Sequence, residues 1–417
     1  MKAPSSISSR SMMTICLSKP AMKKGWEIKK IGEVCTIFNG GTPDTNVPEF
    51  WDGEILWITP KDMGKLTSEY VSDTSRKISE LGLQKSSAKL IPINSILLST
   101  RAPIGHLAIN VKVITTNQGC RGIVPNDDLD TRFLYYFCFK SVDLFNDLGT
   151  GTTFKELSKE ALSSIKIPIP PLSEQKEIVA ILDEAFAVID RAKSNIEKNI
   201  ANANALFHSR LIEIFSHSDG YWEEKKLGDV CIVERGCSPR PIKKYLTNSD
   251  DGVNWIKIGD VAENDKYVWR TQQKITKEGA KKSRFVDVGD FILSNSMSFG
   301  RPYIMKISGY VHDGWFVLRL SPELNPDYFW QLLSSPILKK QFEDLAAGAI
   351  VKNISGDLVK KAIIPIPPLE IQRQIVKETE KMNFVLSDLQ KKYQQKLNNL
   401  DQLKKSLLQK AFAGELT

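Results

Sequence analysis

The chain has 417 residues, 41% hydrophobic and 25% charged, and its 57 Lys and Arg against 49 Asp and Glu leave a formal net charge of +8. That composition excludes a fibrous or disordered chain and allows two domains, each large enough to bury its own core. No apolar run approaches the ~20 residues of a membrane span, and the mild positive excess is compatible with a polyanionic partner without identifying one.

In chain order, residues 1–21 carry basic and Ser residues but no acid, and their apolar stretch, Met12 to Leu17, is too short for a secretory core. We read them as a disordered extension, with Met22 as an alternative start. A first mixed α/β domain is expected over 22–171. Its strand-like runs are Val34 to Phe38, Ile55 to Thr59 and Ser95 to Ser99, separated by turn residues such as Gly40-Gly41-Thr42-Pro43. A loop follows at Arg101-Ala102-Pro103-Ile104-Gly105, then a helical patch from Arg132 to Lys140. We expect one twisted, mainly antiparallel sheet.

The domain ends in Ile167-Pro168-Ile169-Pro170-Pro171-Leu172. Prolines lack an amide donor and fix φ, so this segment is predicted to be an extended strut. A long helix then spans 172–216, with Ser173 placed to N-cap it and Glu174 complementing the dipole of its first turn. Its apolar seam is Ile178, Leu182, Ala185, Ile189, Ala192, Ile196, Ala203, Leu206 and Phe207.

The same plan then returns. A second domain is predicted over 217–368 and a distal helix over 369–417. Ile364-Pro365-Ile366-Pro367-Pro368-Leu369 repeats the strut at an offset of 197 residues (364 − 167). Trp26-Glu27-Ile28-Lys29-Lys30-Ile31-Gly32-Glu33-Val34-Cys35 returns as Trp222-Glu223-Glu224-Lys225-Lys226-Leu227-Gly228-Asp229-Val230-Cys231. The strand-like runs recur as Val230 to Val233, Trp255 to Ile258 and Phe291 to Ser294, with helix from Pro326 to Phe342. The Arg101 loop recurs as Met297-Ser298-Phe299-Gly300-Arg301. In the distal helix, Leu386, Leu389, Tyr393, Lys396, Leu400, Leu403 and Leu407 form a heptad seam with one polar interruption, Leu397 lying beside it. At ~1.5 Å per residue each helix spans roughly 60 Å, so the two are expected to pair as an antiparallel coiled coil. The fold class is α/β (α+β): two mixed domains, two long helices and an internal pseudo-two-fold repeat. Such an object suits an extended, two-sided ligand, and duplex DNA is the obvious candidate.

Catalytic motifs are missing. There is no phosphate-cradling Gly-x-x-x-x-Gly-Lys loop, no Gly-x-Gly-x-x-Gly turn after a strand and no Asn-Pro-Pro-aromatic motif. His106, His208, His217 and His312 stand singly, away from metal spacing. The six cysteines form no CxxC pair; Cys35 and Cys231 hold equivalent places and read as buried small hydrophobes in a reducing cytoplasm. The chain reads as a binder without metal or cofactor of its own.

Gly41-Thr42-Pro43 with Trp51-Asp52-Gly53 and Trp57-Ile58-Thr59-Pro60-Lys61-Asp62, the duplicated Ile-Pro-Ile-Pro-Pro-Leu-x-x-Gln (Gln175, Gln372) and the ending Ser406-Leu407-Leu408-Gln409-Lys410-Ala411-Phe412-Ala413-Gly414-Glu415-Leu416 together resemble the specificity subunit of type I restriction–modification systems. The resemblance runs from Met22 to Thr417. It implies two target-recognition domains, each reading half of a bipartite double-stranded DNA site, with the helices fixing the gap and docking two methyltransferase subunits. Those partners would use S-adenosylmethionine, and a translocase-nuclease subunit would use ATP and Mg²⁺. The second domain departs from the pattern: Trp57-Ile58-Thr59-Pro60-Lys61-Asp62 becomes Trp255-Ile256-Lys257-Ile258-Gly259-Asp260.

Phosphate contacts need cations, and base discrimination needs planar side chains. Candidate DNA-binding residues are Thr42, Lys61, Arg76, Lys77, Lys85, Lys89 and Arg101 in the first domain. In the second they are Arg240, Lys243, Lys244, Lys274, Lys281, Lys282, Arg284 and Arg301. The clusters at 240–244 and 281–284 contain no acid of their own. Two readings compete with a DNA reader: a coiled-coil assembly scaffold or orphan subunit that no longer reads DNA, and an enzyme acting on DNA alone.

Overall fold

The computed structural model describes residues 23–151, 155–216, 222–262, 265–295, 300–346 and 355–417. The expectations for 1–21, Met22, Cys16, His217 and Met297 to Phe299 lie outside the described residues. No helix among them is long and apolar enough to cross a membrane. The chain divides into two compact units, Met1–Ser194 with Lys396–Thr417, and Asn195–Gln395. Each unit therefore holds one mixed α/β domain, half of one long helix and half of the other.

In the first unit, strands Cys35–Asn39, Cys120–Pro125, Ile96–Ser99, Leu107–Asn110 and Tyr70–Val71 form a five-stranded sheet in that spatial order. A separate three-stranded sheet is built from Arg76–Ile78, Trp51–Ile58 and Thr115–Thr116. The second unit repeats the first sheet with Cys231–Arg235, Trp315–Leu320, Phe291–Ser294, Pro302–Met305 and Tyr267–Val268, and enlarges the other to five strands centred on Val253–Ile256. This corrects the expectation of a single sheet. Short strands broken by Gly and Pro cannot extend one ladder, so each domain splits into two sheets that share an apolar cluster, Leu56 and Ile58 with Leu97 and Ala108 in the first and Ile256 and Val311 with Ile292 and Val317 in the second.

Neither proline segment is a free strut. Lys166–Ile169 pairs antiparallel with Glu27–Lys30, and Ile363–Ile366 with Glu223–Lys226, so each repeat's first and last strands close a two-stranded ribbon. The central helix runs Leu172–Ser216 and the distal helix Leu369–Ala413. Ser173 is not the N-cap: the helix has begun by Leu172, and the Pro171 carbonyl accepts from the amides of Glu174 (2.9 Å) and Gln175 (3.0 Å). Glu174 instead accepts from Lys23 Nζ at 2.6 Å, Thr417 Oγ1 at 2.6 Å and Trp26 Nε1 at 3.1 Å.

Within each unit the two helix halves run antiparallel. Lys404 Nζ lies 2.5 Å from Asp190 and Lys193 pairs with Asp401 in the first; Arg210 meets Glu378 at 3.0 Å and Gln390 meets Asn204 at 2.8 Å in the second. The seam departs from a strict heptad. Lys396 is exposed and Leu397 takes its place, while Leu403 faces out and Leu206 is 73% exposed. A straight helix drifts about 20° per heptad against a 3.5-residue repeat, so the buried line moves to Lys404, Leu408 and Ala411. Lys404 fits because its stem lies along the seam and its ammonium sits 4.6 Å above the Phe186 ring.

The predicted helix from Pro326 to Phe342 is two helices, Pro326–Leu333 and Pro336–Ala346. Pro336 lacks the amide that would continue the first.

Candidate nucleic-acid interface

The signature glutamines set where each long helix leaves its domain. Gln175 and Gln372 are fully buried. Gln175 Oε1 accepts from the Asp130 amide at 2.8 Å, and its Nε2 donates to the carbonyls of Asp128 and Pro170, both at 2.9 Å. Gln372 repeats this set on Asn325 (2.7 Å), Glu323 (2.9 Å) and Pro367 (2.8 Å). Both N–H donors and the carbonyl oxygen of each interior amide thus have a partner that fixes helix to domain.

At the strand ends of the first domain, loops converge on the turn Asn117-Gln118-Gly119. The Asn117 amide donates to Ile58 O at 2.8 Å, next to the Pro60–Met63 helix carrying Lys61. Asn117 Nδ2 donates to Thr42 Oγ1 at 2.9 Å, and its Oδ1 accepts from the Gly119 amide at 2.7 Å. The Arg101 amide donates to Gly119 O at 3.2 Å. Thr42, Lys61 and Arg101 therefore share one surface.

Arg76 and Lys77 lie on a strand paired with Trp51–Ile58. The Arg76 guanidinium sits 3.6 Å over the Trp51 ring, which packs edge-on to Trp57 at 5.0 Å. Trp57 Nε1 donates to Gly41 O at 2.8 Å, tying this strand to the Thr42 loop. Lys85 and Lys89 are exposed on either side of the buried Ala88, which belongs to the same Trp51–Trp57 cluster.

The second domain builds the equivalent surface from different residues. Ser283 Oγ donates to Cys237 O at 2.7 Å and Lys282 Nζ to Tyr245 Oη at 2.7 Å, which brings the 281–284 and 240–244 basic clusters together. Lys274 pairs across to Thr247 and Asn254 in the adjoining sheet. Both clusters do have acids, contributed from distant sequence: Arg240 Nη2 lies 3.2 Å from Asp313 and Arg284 Nη1 2.8 Å from Glu234. Lys243, Lys244 and Lys281 are exposed, and the Arg301 amide donates to Ser294 Oγ at 3.1 Å. Ser238, Arg240, Trp255, Lys257, His312 and Asp313 line an open cleft of about 810 Å³.

Some cations are already engaged within the protein. Arg101 Nε lies 2.9 Å from Glu156, and Lys77 Nζ 4.0 Å from Asp73. Sequence reasoning did not single out Asn117, Gln118 or Asp313 and read His312 as an isolated residue. It also missed Arg121, which is buried beneath the Arg101 loop and bonded to Asn39, Glu156 and the Leu157 carbonyl. Burial holds the His312 imidazole below its usual pKa, against the opposing pull of Asp313; its Nδ1 accepts from the Gly314 amide at 2.6 Å. The imidazole thus braces the turn. Interleaved cations, amides and aromatic rings at loop tips are the kinds of group that phosphate neutralisation and base-edge hydrogen bonding call for.

Comparison with known proteins gives a consistent picture. The family model described as the type I restriction modification DNA specificity domain matches residues 23–202 and again 220–399. The MjaIX specificity subunit of a type I restriction enzyme from Methanocaldococcus jannaschii is 35% identical over 243 residues, 54% of this chain and 56% of that protein. This chain thus spans about half the length of that relative. The EcoKI specificity subunit of Escherichia coli is 22% identical, with 96% of this chain and 91% of that protein covered. In fold, the chain is similar to one from a study of type I restriction–modification complex assembly and conformational transition (TM-score 0.74, 20% identity, 95% and 99% covered). It is also similar to the HsdS subunit from Thermoanaerobacter tengcongensis (TM-score 0.58, 20% identity, 95% and 98% covered).

Proposed function

The chain belongs to the type I restriction–modification DNA specificity family, and from that premise we propose that it is the non-catalytic DNA-reading subunit of such a complex. Each α/β domain reads one part of a bipartite double-stranded site, and the two long helices set the gap and dock two methyltransferase subunits. S-adenosylmethionine, ATP and Mg²⁺ belong to those methyltransferases and to restriction-translocase subunits, in the cytoplasm where DNA is met. The observation that carries the reading is the recurrence, at equivalent strand ends of both domains, of a cationic loop surface braced by one turn, Asn117–Gly119 and His312–Gly314.

Phosphate neutralisation releases condensed counterions, so log affinity falls linearly with log salt by about 0.9 per phosphate contacted. The complex of this chain with its methyltransferase should therefore lose about a hundredfold or more in DNA affinity between 50 and 200 mM salt. Binding that ignores salt, or no binding at all, favours a coiled-coil assembly scaffold.

A further inference from the structure

We propose that Gln118 and Asp313, equivalent residues at the tip of one turn in the two copies, each read a base edge. Gln118 reads an adenine, and Asp313 reads a base presenting an exocyclic amino group in the major groove, cytosine or adenine. This assignment rests on the DNA-reading function proposed above and goes further by naming the reading residues and their chemistry.

The equivalence is geometric. A Cβ placed on Gly40 would sit 1.9 Å from the Asn117 carbonyl oxygen, and one on Gly236 would sit 2.1 Å from that of His312. The same close approach of strand end to turn is thus made 195 residues later (312 − 117), and His312-Asp313-Gly314 overlies Asn117-Gln118-Gly119. In both turns the outer residues belong to the scaffold. Asn117 and His312 each accept the amide of the glycine two positions on. The residue between them is left to face solvent among the cations: Gln118 is exposed and Asp313 half-exposed.

A carboxylate is the odd member of a phosphate-binding surface, because it repels the backbone that the neighbouring cations attract. It becomes favourable only where it meets a donor, and the amino groups of cytosine and adenine are the donors of the major groove. Asp313 is built for that. Its Oδ1 accepts from Ser238 Oγ at 2.6 Å and its Oδ2 lies 3.2 Å from Arg240 Nη2. A carboxylate offers about four acceptor positions; Ser238, Arg240 and its own amide take up to three, so at least one stays open. The Ser238 hydrogen bond chiefly holds its pKa below the usual range, keeping it an acceptor. Gln118 carries one acceptor and two donors, the set that pairs with adenine N6 and N7.

The test is selection of bound duplexes by the chain assembled with its methyltransferase, from DNA randomised across both half-sites. Asp313→Asn keeps the side chain's shape but replaces an acceptor with a donor. It should relax or switch preference by about tenfold or more at one base pair of one half-site, leaving the other half-site unchanged. Gln118→Ala should do the same in the opposite half. Unaltered preferences in both variants overturn the assignment. So does preference lost evenly across a half-site, the mark of a collapsed loop. A wild-type complex that selects no bipartite site overturns the DNA reading itself, and this assignment with it.

Discussion

The two copies share their scaffold and differ in their tips. Gln175 and Gln372 make matching sets of hydrogen bonds, and the two proline ribbons pair in the same sense. At the strand opposite the shared tryptophan, however, Arg76 faces Trp57 whereas Gln273 faces Trp255. Where Asn117 bonds to Thr42, Asp313 bonds to Ser238. Features that build each domain are held in common, and features that face outward diverge, as the proposed reading of two different half-sites requires.

The largest effect should come from the shared part. Gln175→Ala or Gln372→Ala strips the partner from one buried carbonyl, of Pro170 or Pro367, and from one amide and one carbonyl that are part-buried and can recruit water, at ~1–3 kcal/mol for a group left unpaired and buried. Allowing for relaxation, each should cost about 2–4 kcal/mol in urea denaturation of the complex, and by similar amounts. A large difference between the two would break the equivalence of the copies.

Leu408 and Leu211 occupy corresponding helix positions, but Leu408 is 3% exposed whereas Leu211 is only partly buried. Leu408→Ala should cost about 2–4 kcal/mol and Leu211→Ala less than half of that. Equal costs in thermal melts would contradict the asymmetric seam.

Acid should also separate the copies. Burial alone would raise the Glu174 pKa, but hydrogen bonds from Lys23, Thr417 and Trp26 outweigh it and hold the carboxyl below its usual value. The counterpart of Glu174 is Ile371. A depressed folded pKa gives stability that is present above the unfolded value near 4.3 and lost as pH falls through the folded one. Wild type should therefore lose about 1 kcal/mol more than Glu174→Gln between pH 7 and pH 3. Parallel acid curves would remove this contact from the account.

The smallest effect is chemical. Burial pushes the thiols of Cys35 and Cys231 up to about 12, while Cys237 is exposed on the second domain's proposed DNA-facing loop. In a Cys16→Ser background, a maleimide at pH 7.5 should label Cys237 and spare the four buried cysteines, Cys35, Cys120, Cys138 and Cys231, and DNA should slow the labelling. Labelling indifferent to DNA would move that loop off the interface.

Much of this architecture was legible in the sequence, because duplication announces itself and proline stops helices sharply. The predicted helix from residue 172 to 216 matches Leu172–Ser216, and the runs at Ser95 to Ser99 and Phe291 to Ser294 became strands within a residue. The split into two sheets escaped because strand partners such as Trp57 and Thr115 are far apart in sequence. Leu206 and Leu403 were placed on the seam by a 3.5-residue rule that a straight helix does not keep. The basic clusters were visible as composition. The turn that gathers them was not, because an Asn, a Gln and a Gly carry no signal until Thr42 and Ile58 meet them in space.

The claim that two readers are held at one spacing is tested by co-expressing the chain with its methyltransferase and mapping adenine methylation by single-molecule sequencing. It predicts one bipartite, non-palindromic motif with a constant gap. Methylation at a single undivided motif, at variable gaps, or nowhere despite a stable complex would contradict it.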